Sequence, residues 1–453
     1  DKALTDSLID RSVRDGLKTD SVYPAREISA LVSAMEAVGI SSVDGIADHD
    51  FTRITAFGSQ LDTVYASGIF AGVLTKQLDD ALNEDLIDSA VRAKIKKGNL
   101  YPKSEVSALL AAFEEMGMTT TDDLKTYDFA VLSGFGDPSS SQSGRTRLDV
   151  LYDSDIVGGV ITHAVRDGIA ESEGALCDHK SAYRAEIGIL KKSEMEALVT
   201  LSGGGNVKDC DVGEMSLTEI RAFVEADGEG NPQSYLVAAS LSGNLLRNAN
   251  LVVPAEIIDD GMIECGELCR FLDAFLVLRA DTALDDWNVE EDMRVPESSA
   301  RRVVTGSIVM RATLSRKIVE LNDGMVMAKD SVAFGKDGRG AAIAVISEEQ
   351  LLAFFTALDA GGDGGELVIP VFRNLSDVAH YRGNLGAIYT FDAIRYGVSA
   401  AMRDAAETFG YAGEYTSEEG VRLTKGNSVK WEAVTRDVLP EEVIEEILAL
   451  FGD

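Results

Sequence analysis

Apolar residues recur at three-to-four spacing along much of the first half of the chain, the period of an amphipathic helix. Phe70-Ala71-Gly72-Val73-Leu74-Thr75-Lys76-Gln77-Leu78 is one such stretch, and residues 157–165 form another. Ala30-Leu31-Val32-Ser33-Ala34-Met35 and Ala108-Leu109-Leu110-Ala111-Ala112-Phe113 supply two further faces expected to be buried. Pro24 and Pro102 open this second pair at a helical position whose N–H is unpaired anyway, and Glu27 and Glu105 follow in the first turn, near the positive helix end. Gly39 and Gly117 then stand as natural stops. From about Arg301 the texture changes. Residues 303–310, 341–346 and 366–372 are short apolar runs that predict strands, and residues 440–451 predict a closing helix with an acidic first turn.

The helical pattern repeats. Ser21-Val22-Tyr23-Pro24-Ala25-Arg26-Glu27-Ile28-Ser29-Ala30-Leu31 returns 78 residues later as Asn99-Leu100-Tyr101-Pro102-Lys103-Ser104-Glu105-Val106-Ser107-Ala108-Leu109. A second anchor, Leu61-Asp62-Thr63-Val64-Tyr65-Ala66-Ser67, returns 87 residues later as Leu148-Asp149-Val150-Leu151-Tyr152-Asp153-Ser154. Weaker echoes follow at Leu190-Lys191-Lys192-Ser193-Glu194, at Gly306-Ser307-Ile308 and at Leu385-Gly386-Ala387-Ile388-Tyr389. Two anchors returning at similar distances predict a stacked supersecondary unit. The expected fold is mainly α and multi-domain: degenerate tandem helix-turn-helix repeats of about 80–90 residues in the N-terminal half, and a mixed α+β C-terminal half. The boundaries this implies are 1–58, 59–144 and a degenerate 145–230 for the repeat units, 231–300 for a helical unit and 301–453 for the α+β domain.

Composition narrows the partners. The chain has 453 residues, 45% of them hydrophobic, which excludes a disordered chain and leaves room for several cores. Its 76 acidic and 42 basic residues give a formal charge of −34, which repels phosphate backbones and anionic lipid. Nucleic acid is therefore not an expected partner. No apolar run approaches the roughly 20 residues that span a bilayer, so no membrane insertion is expected. The first residue is Asp rather than Met, which suits N-terminal processing. The expected setting is a soluble protein, such as a virion or extracellular particle component, in a compartment the sequence does not name. Cys177, Cys210, Cys265 and Cys269 are too few for a disulfide scaffold and are read as free thiols rather than a zinc site.

Four stretches share the spacing of the second half of an EF-hand loop, a Gly followed by an apolar residue two positions on and an acid six positions on. They begin at Gly213, Gly261, Gly324 and Gly413. The similarity is one of motif spacing and not of family. Calcium needs alternating oxygen ligands before the Gly, and only the loop before Gly261 retains two, Glu256 and Asp260, to which Glu267 would add a third. Capping at a helix start satisfies the same spacing.

Enzyme signatures are missing: His49, His163, His179 and His380 are scattered, and no glycine run matches a phosphate-binding fingerprint. The expected function is thus a non-enzymatic structural or scaffold repeat protein that joins protein partners by self- or hetero-assembly, with no cofactor. Two alternatives stay open: a calcium-responsive binding module using Glu256, Asp260 and Glu267, and an enzyme of unrecognised type centred on loops from Asp323 to Arg339.

Overall fold

The computed structural model describes residues 4–171, 176–279, 283, 294–320, 332–361, 375–380, 382–406, 411–415, 421–425, 428–433, 439 and 441–449. The protein is mainly helical, with small antiparallel sheets. No helix among the described residues is long and apolar enough to cross a membrane. The chain divides into two compact units: Asp1–Val212 with Gln233–Ser240, and Gly213–Pro232 with Leu241–Asp453.

The first unit is built from pairs of helices that pack on a longer one. Helices Arg11–Gly16 and Ala25–Ala37 pack on Gly68–Ala81, and helices Ser89–Ile95 and Lys103–Met116 pack on Asp155–Glu171. The long helices are buried along most of their length, with Phe70, Val73, Leu74 and Leu78 wholly enclosed in one and Ile156, Val157 and Ile161 in the other. Glycines set how closely elements approach. A β-carbon on Gly72 would lie 2.6 Å from Ile9 Cδ1, and one on Gly159 would lie 2.2 Å from Ile87 Cδ1.

Between the helices of each pair, where the sequence predicts a plain turn, the chain makes a minimal β-hairpin. Thr19 and Val22 exchange backbone hydrogen bonds, as do Lys97 and Leu100. The two residues at each tip have positive φ, 52° and 67° at Asp20 and Ser21, 60° and 62° at Gly98 and Asn99. Asp, Ser, Gly and Asn tolerate that region, and the resulting twist matches that of the flanking strands. A larger hairpin, Tyr183–Arg184 with Ile189–Leu190, precedes helix Lys192–Ser202.

In the second unit, hairpin Ile258–Asp259 with Met262–Ile263 leads into helix Cys265–Leu278, and hairpin Val332–Lys336 with Ala342–Ile346 leads into helix Glu348–Gly361. Beyond helix Asp392–Ala406 lies a three-stranded antiparallel sheet, Tyr411–Tyr415, Val421–Lys425 and Ser428–Ala433, in sequential order with a register shift at Leu423/Thr424. Helix Glu441–Ala449 follows with its acidic first turn.

The strand expected over 341–346 forms, at Ala342–Ile346. That expected over 303–310 does not: the run folds as helices Arg301–Gly306 and Ile308–Glu320, broken at Ser307. A short apolar run buried on every side carries no period that separates strand from helix. The expected strand at 366–372 and the acidic loop motif that begins at Gly324 lie outside the described residues, as does the first part of the loop proposed for an enzyme, from Asp323 to Ser331.

Candidate functional site

The most distinctive chemistry in the molecule is a carboxylate spent on the start of another helix, buried in Glu105, Glu194 and Glu267 and half-buried in Glu27. Glu27, Glu105, Glu194 and Glu267 are each the third residue of their helix. A carboxylate there suits the positive end of its own helix, which is the role the sequence suggests. Each instead reaches the N-terminus of another helix about 40 to 50 residues downstream.

The geometry is the same each time. Ser67, Ser154, Ser234 and Ser307 each donate a hydroxyl hydrogen at 2.7 Å to Glu27, Glu105, Glu194 and Glu267 respectively. Each serine oxygen in turn accepts the N–H three residues on, from Phe70, Val157, Val237 and Met310, at 3.2 Å in every case. The carboxylate then takes further N–H groups of the first turn: Ile69 at 2.9 Å, Asp155 and Ile156 at 3.1 and 2.8 Å, Tyr235 and Leu236 at 2.6 and 3.4 Å, and Val309 at 3.1 Å. Serine cap and remote carboxylate together satisfy donors that a helix start leaves unpaired.

A fifth position departs from the pattern at both partners. Gln350, again the third residue of its helix, accepts the N–H of Asp392 at 2.9 Å, and Phe391 stands where the serine would be. An uncharged acceptor meets a site with no hydroxyl to offer it.

A second contact keeps step with the first. Eight residues after each serine, or after Phe391, a buried hydroxyl accepts the N–H of the residue four before the next acid or its counterpart. Thr75 accepts from Tyr101, Thr162 from Leu190, Ser242 from Ile263, Ser315 from Ile346 and Ser399 from Leu439, at 2.8 to 3.2 Å. Leu439 leads into Val443, which is apolar and buried at the acid's place. The signal that reveals this contact is the eight-residue step from Ser to Ser/Thr, which lies in plain view in the sequence but reads as ordinary helix composition.

Burial raises the Glu105 carboxyl above its ordinary range, opposed by the N–H of Ile156, the hydroxyl of Ser154 and the N–H of Asp155. Burial raises Glu194 likewise, against the hydroxyl of Ser234 and the N–H groups of Tyr235 and Leu236. Glu115 behaves oppositely. Burial pushes it up, but the N–H groups of Ser140 and Ser141 and the hydroxyls of Ser139 and Ser141 outweigh that and hold it down to about 2. The Ser-rich stretch is therefore a loop wrapped on one carboxylate.

A cleft of about 1130 Å3 opens in the first unit, walled by helix Ser89–Ile95 and the hairpin that carries Tyr183. Its arginines are engaged by carboxylates. Arg166 pairs with Asp88 at 3.2 Å and Asp178 at 3.5 Å, and Arg184 pairs with Asp155 at 3.0 Å. Among the described residues its lining contains neither His nor Cys.

The three residues expected to hold a cation are spent separately. Glu267 is the buried clamp to Ser307 and also pairs with Arg270. Asp260 sits at φ 51° in the tip of a hairpin with Gly261, so the Asp-Gly pair has the turn's chemistry. Glu256 Oε1 lies 3.4 Å from the Lys336 N–H. Among the described residues no group of three or more His, Cys, Asp or Glu side chains is placed to hold a metal ion. The four cysteines are free thiols, with Cys265 and Cys269 both directed at the Val224 carbonyl. His179 is buried and stacks on Tyr235, and His163 pairs with Asp88 and Asp167.

No family model matches the chain, and neither a curated protein nor a solved structure matches it.

Proposed function

We propose that this chain is a non-enzymatic scaffold, assembled from tandem copies of one hairpin–helix–helix unit and acting as a subunit of a larger protein assembly. The carrying observation is the recurrence of the Glu–Ser clamp at Glu27, Glu105, Glu194 and Glu267, with Gln350 at the fifth place. Successive members stand 73 to 89 residues apart. The hydroxyl contact eight residues after each cap keeps the same register, so two independent features define one period. On this reading the array reaches beyond the N-terminal half, because Ser315 and Ser399 continue the series through the segment expected to be a separate α+β domain.

The disposition of buried polar groups supports a structural role. A catalytic carboxylate needs an open side toward a substrate. These carboxylates are turned to helix starts and serine hydroxyls, with both oxygens so engaged in Glu105 and Glu194. Units that serve to stack need only keep the groups that lock them together, which fits the drift of the remaining sequence.

Light scattering and electron microscopy of material purified from its native source test the proposal. The expected result is an ordered particle, filament or stoichiometric complex containing this chain. A monodisperse monomer with no ordered partner overturns it.

A further inference from the structure

We propose that Cys265 and Cys269 are a redox modification site, at which a disulfide between them uncaps the end of helix Leu217–Val224 and alters the clamp that Glu267 makes with Ser307. The inference goes beyond the scaffold reading and does not depend on it. Cys265 Sγ donates to the Val224 carbonyl at 2.7 Å, and Cys269 Sγ donates to the same oxygen at 3.1 Å. Val224 is the last residue of its helix and wholly buried, so its carbonyl is one of those that a helix end leaves unpaired. Among the described residues no backbone N–H reaches it. The two thiols are therefore the cap of this helix.

Because both sulfurs lie against one oxygen, they also lie beside each other. Residues four apart on a helix have α-carbons about 6 Å apart, within the span of a disulfide. Cys265 is the first residue of helix Cys265–Leu278, where its own N–H takes no part in the helix and the first turn can tighten to draw the β-carbons together. Access to the two sulfurs differs: Cys265 is buried and Cys269 half-buried. Burial pushes the Cys265 thiol up to about 12, which keeps it a protonated donor. Cys269 is thus the sulfur that an oxidant meets first. With hydrogen peroxide, the Cys269 sulfur takes one oxygen as the O–O bond breaks, becoming a sulfenic acid and releasing water. Cys265 Sγ then attacks that sulfur, the S–S bond forms, and the Cys265 proton leaves with the sulfenic hydroxyl as a second water. Two thiols have lost two electrons and one peroxide has gained them.

The disulfide has no S–H to donate, so the buried Val224 carbonyl is left without a partner, which is costly inside a fold. Arg221 on the same helix holds Asp273 at 3.0 and 3.3 Å, and oxidation does not touch that pair, so the loosening is confined to the helix end. The disulfide also brackets Glu267, which accepts the Ser307 hydroxyl and the Val309 N–H from the same turn. Tightening that turn shifts the carboxylate. Of the four helices that carry a clamping glutamate, this one alone contains cysteine, so the response belongs to this clamp.

The test treats the full chain with hydrogen peroxide, alkylates the remaining thiols and digests with trypsin for mass spectrometry. Cleavage after Arg247 and Arg270 gives a peptide, 248–270, that holds Cys265 and Cys269 and no other cysteine. That peptide should lose two hydrogens and regain them with dithiothreitol. Hydrogen exchange in the last turn of helix Leu217–Val224 and at the Val309 amide should rise by about tenfold on oxidation. Cys265→Ser with Cys269→Ser keeps two hydroxyl donors for the carbonyl and should show neither change. Cys269→Ser alone, which leaves the buried thiol in place, should match the double variant. A peptide that stays reduced, or that only gains oxygen on cysteine, overturns the site. A disulfide that forms while exchange stays constant overturns the uncapping. Serine variants whose exchange still responds to peroxide also overturn the proposal, since the response then comes from another oxidisable side chain.

Discussion

Ser154 lies between two partners at once: its hydroxyl donates to Glu105 at 2.7 Å while its oxygen accepts the Val157 N–H at 3.2 Å. The helix cap is thus a relay in which a residue 49 positions upstream fixes the orientation of the capping hydroxyl. A lone serine cap contributes roughly 1 kcal/mol, and a buried carboxylate that loses all its donors leaves each of them unpaired.

The first prediction separates acceptor from charge. In Glu27 a single oxygen receives both the Ser67 hydroxyl and the Ile69 N–H. Glutamine can present that oxygen, and Gln350 already serves at the fifth place. Glu27→Gln should therefore cost less than about 1 kcal/mol, and Glu27→Ala about 2 kcal/mol or more because two donors lose their acceptor. Hydrogen exchange at the Ile69 amide checks this locally. Equal protection loss in the two variants would show that charge, and not acceptance, holds the helix start.

The second prediction concerns the hydroxyl eight residues further on. Thr162 donates to the Gly158 carbonyl at 2.7 Å and accepts the Leu190 N–H at 3.0 Å, both in the buried interior. Thr162→Val keeps shape and leaves that N–H unpaired, at a cost of about 1–3 kcal/mol. Thr162→Ser should be nearly neutral, since Ser242, Ser315 and Ser399 make the same contact elsewhere. Urea denaturation followed by fluorescence would compare the two. A valine variant as stable as the serine variant would remove this contact from the account.

The helices of the first half are legible because strong amphipathic spacing survives in stretches such as 70–78 and 108–113. The role of the glutamates is half legible. Glu105 sits where a first-turn acid suits its own helix, and nothing local in the sequence reveals that Ser154 is its partner, because the pairing is made by tertiary packing. Val32 shows the converse. It shares the apolar spacing of Leu110, yet it is exposed, whereas Leu110 is half-buried against Gly58, a contact made by tertiary packing that helix periodicity does not reveal. The run at 303–310 misleads for a third reason: Ser307 looks like an interruption in a strand, and only its bond to Glu267 identifies it as a cap.

The third prediction is a pair of opposed pH effects. The Glu115 carboxyl is held at about 2 in the fold against an ordinary value of 4.5, so its contribution is present above 4.5 and is lost as pH falls toward 2. Glu105 and Glu194 are raised in the fold, so theirs is present below 4.5 and is lost as pH rises through their higher folded values. Glu115→Gln should flatten the acid limb of stability against pH, and Glu105→Gln the limb above 4.5. Protection of the Ser140 and Ser141 amides across pH would report the first, and that of Asp155 and Ile156 the second. A single limb that responds to both variants would contradict the opposed signs.

The last prediction tests whether close helix approach is a requirement of the fold or an accident of composition. A methyl group on Gly159 would fall 2.2 Å from Ile87 Cδ1 and 2.9 Å from its Cγ1, so two side-chain atoms of Ile87 must move, and Val91 at 3.5 Å limits where they can go. Gly159→Ala alone gains helix propensity of about 1 kcal/mol, yet overpacking of a filled interior costs about 1–3 kcal/mol, so the net effect should be destabilising. Ile87→Val deletes the Cδ1 that meets the new methyl first. The double variant should then recover most of the loss and exceed the sum of the singles by about 1 kcal/mol, because the two sites share one contact. Gly72 and Ile9, where the corresponding distance is 2.6 Å, should repeat the coupling more weakly. Additive singles at the tighter pair, measured by denaturation of the full chain, would mean that the helices separate freely, and would take away the rigidity on which a stacked array depends.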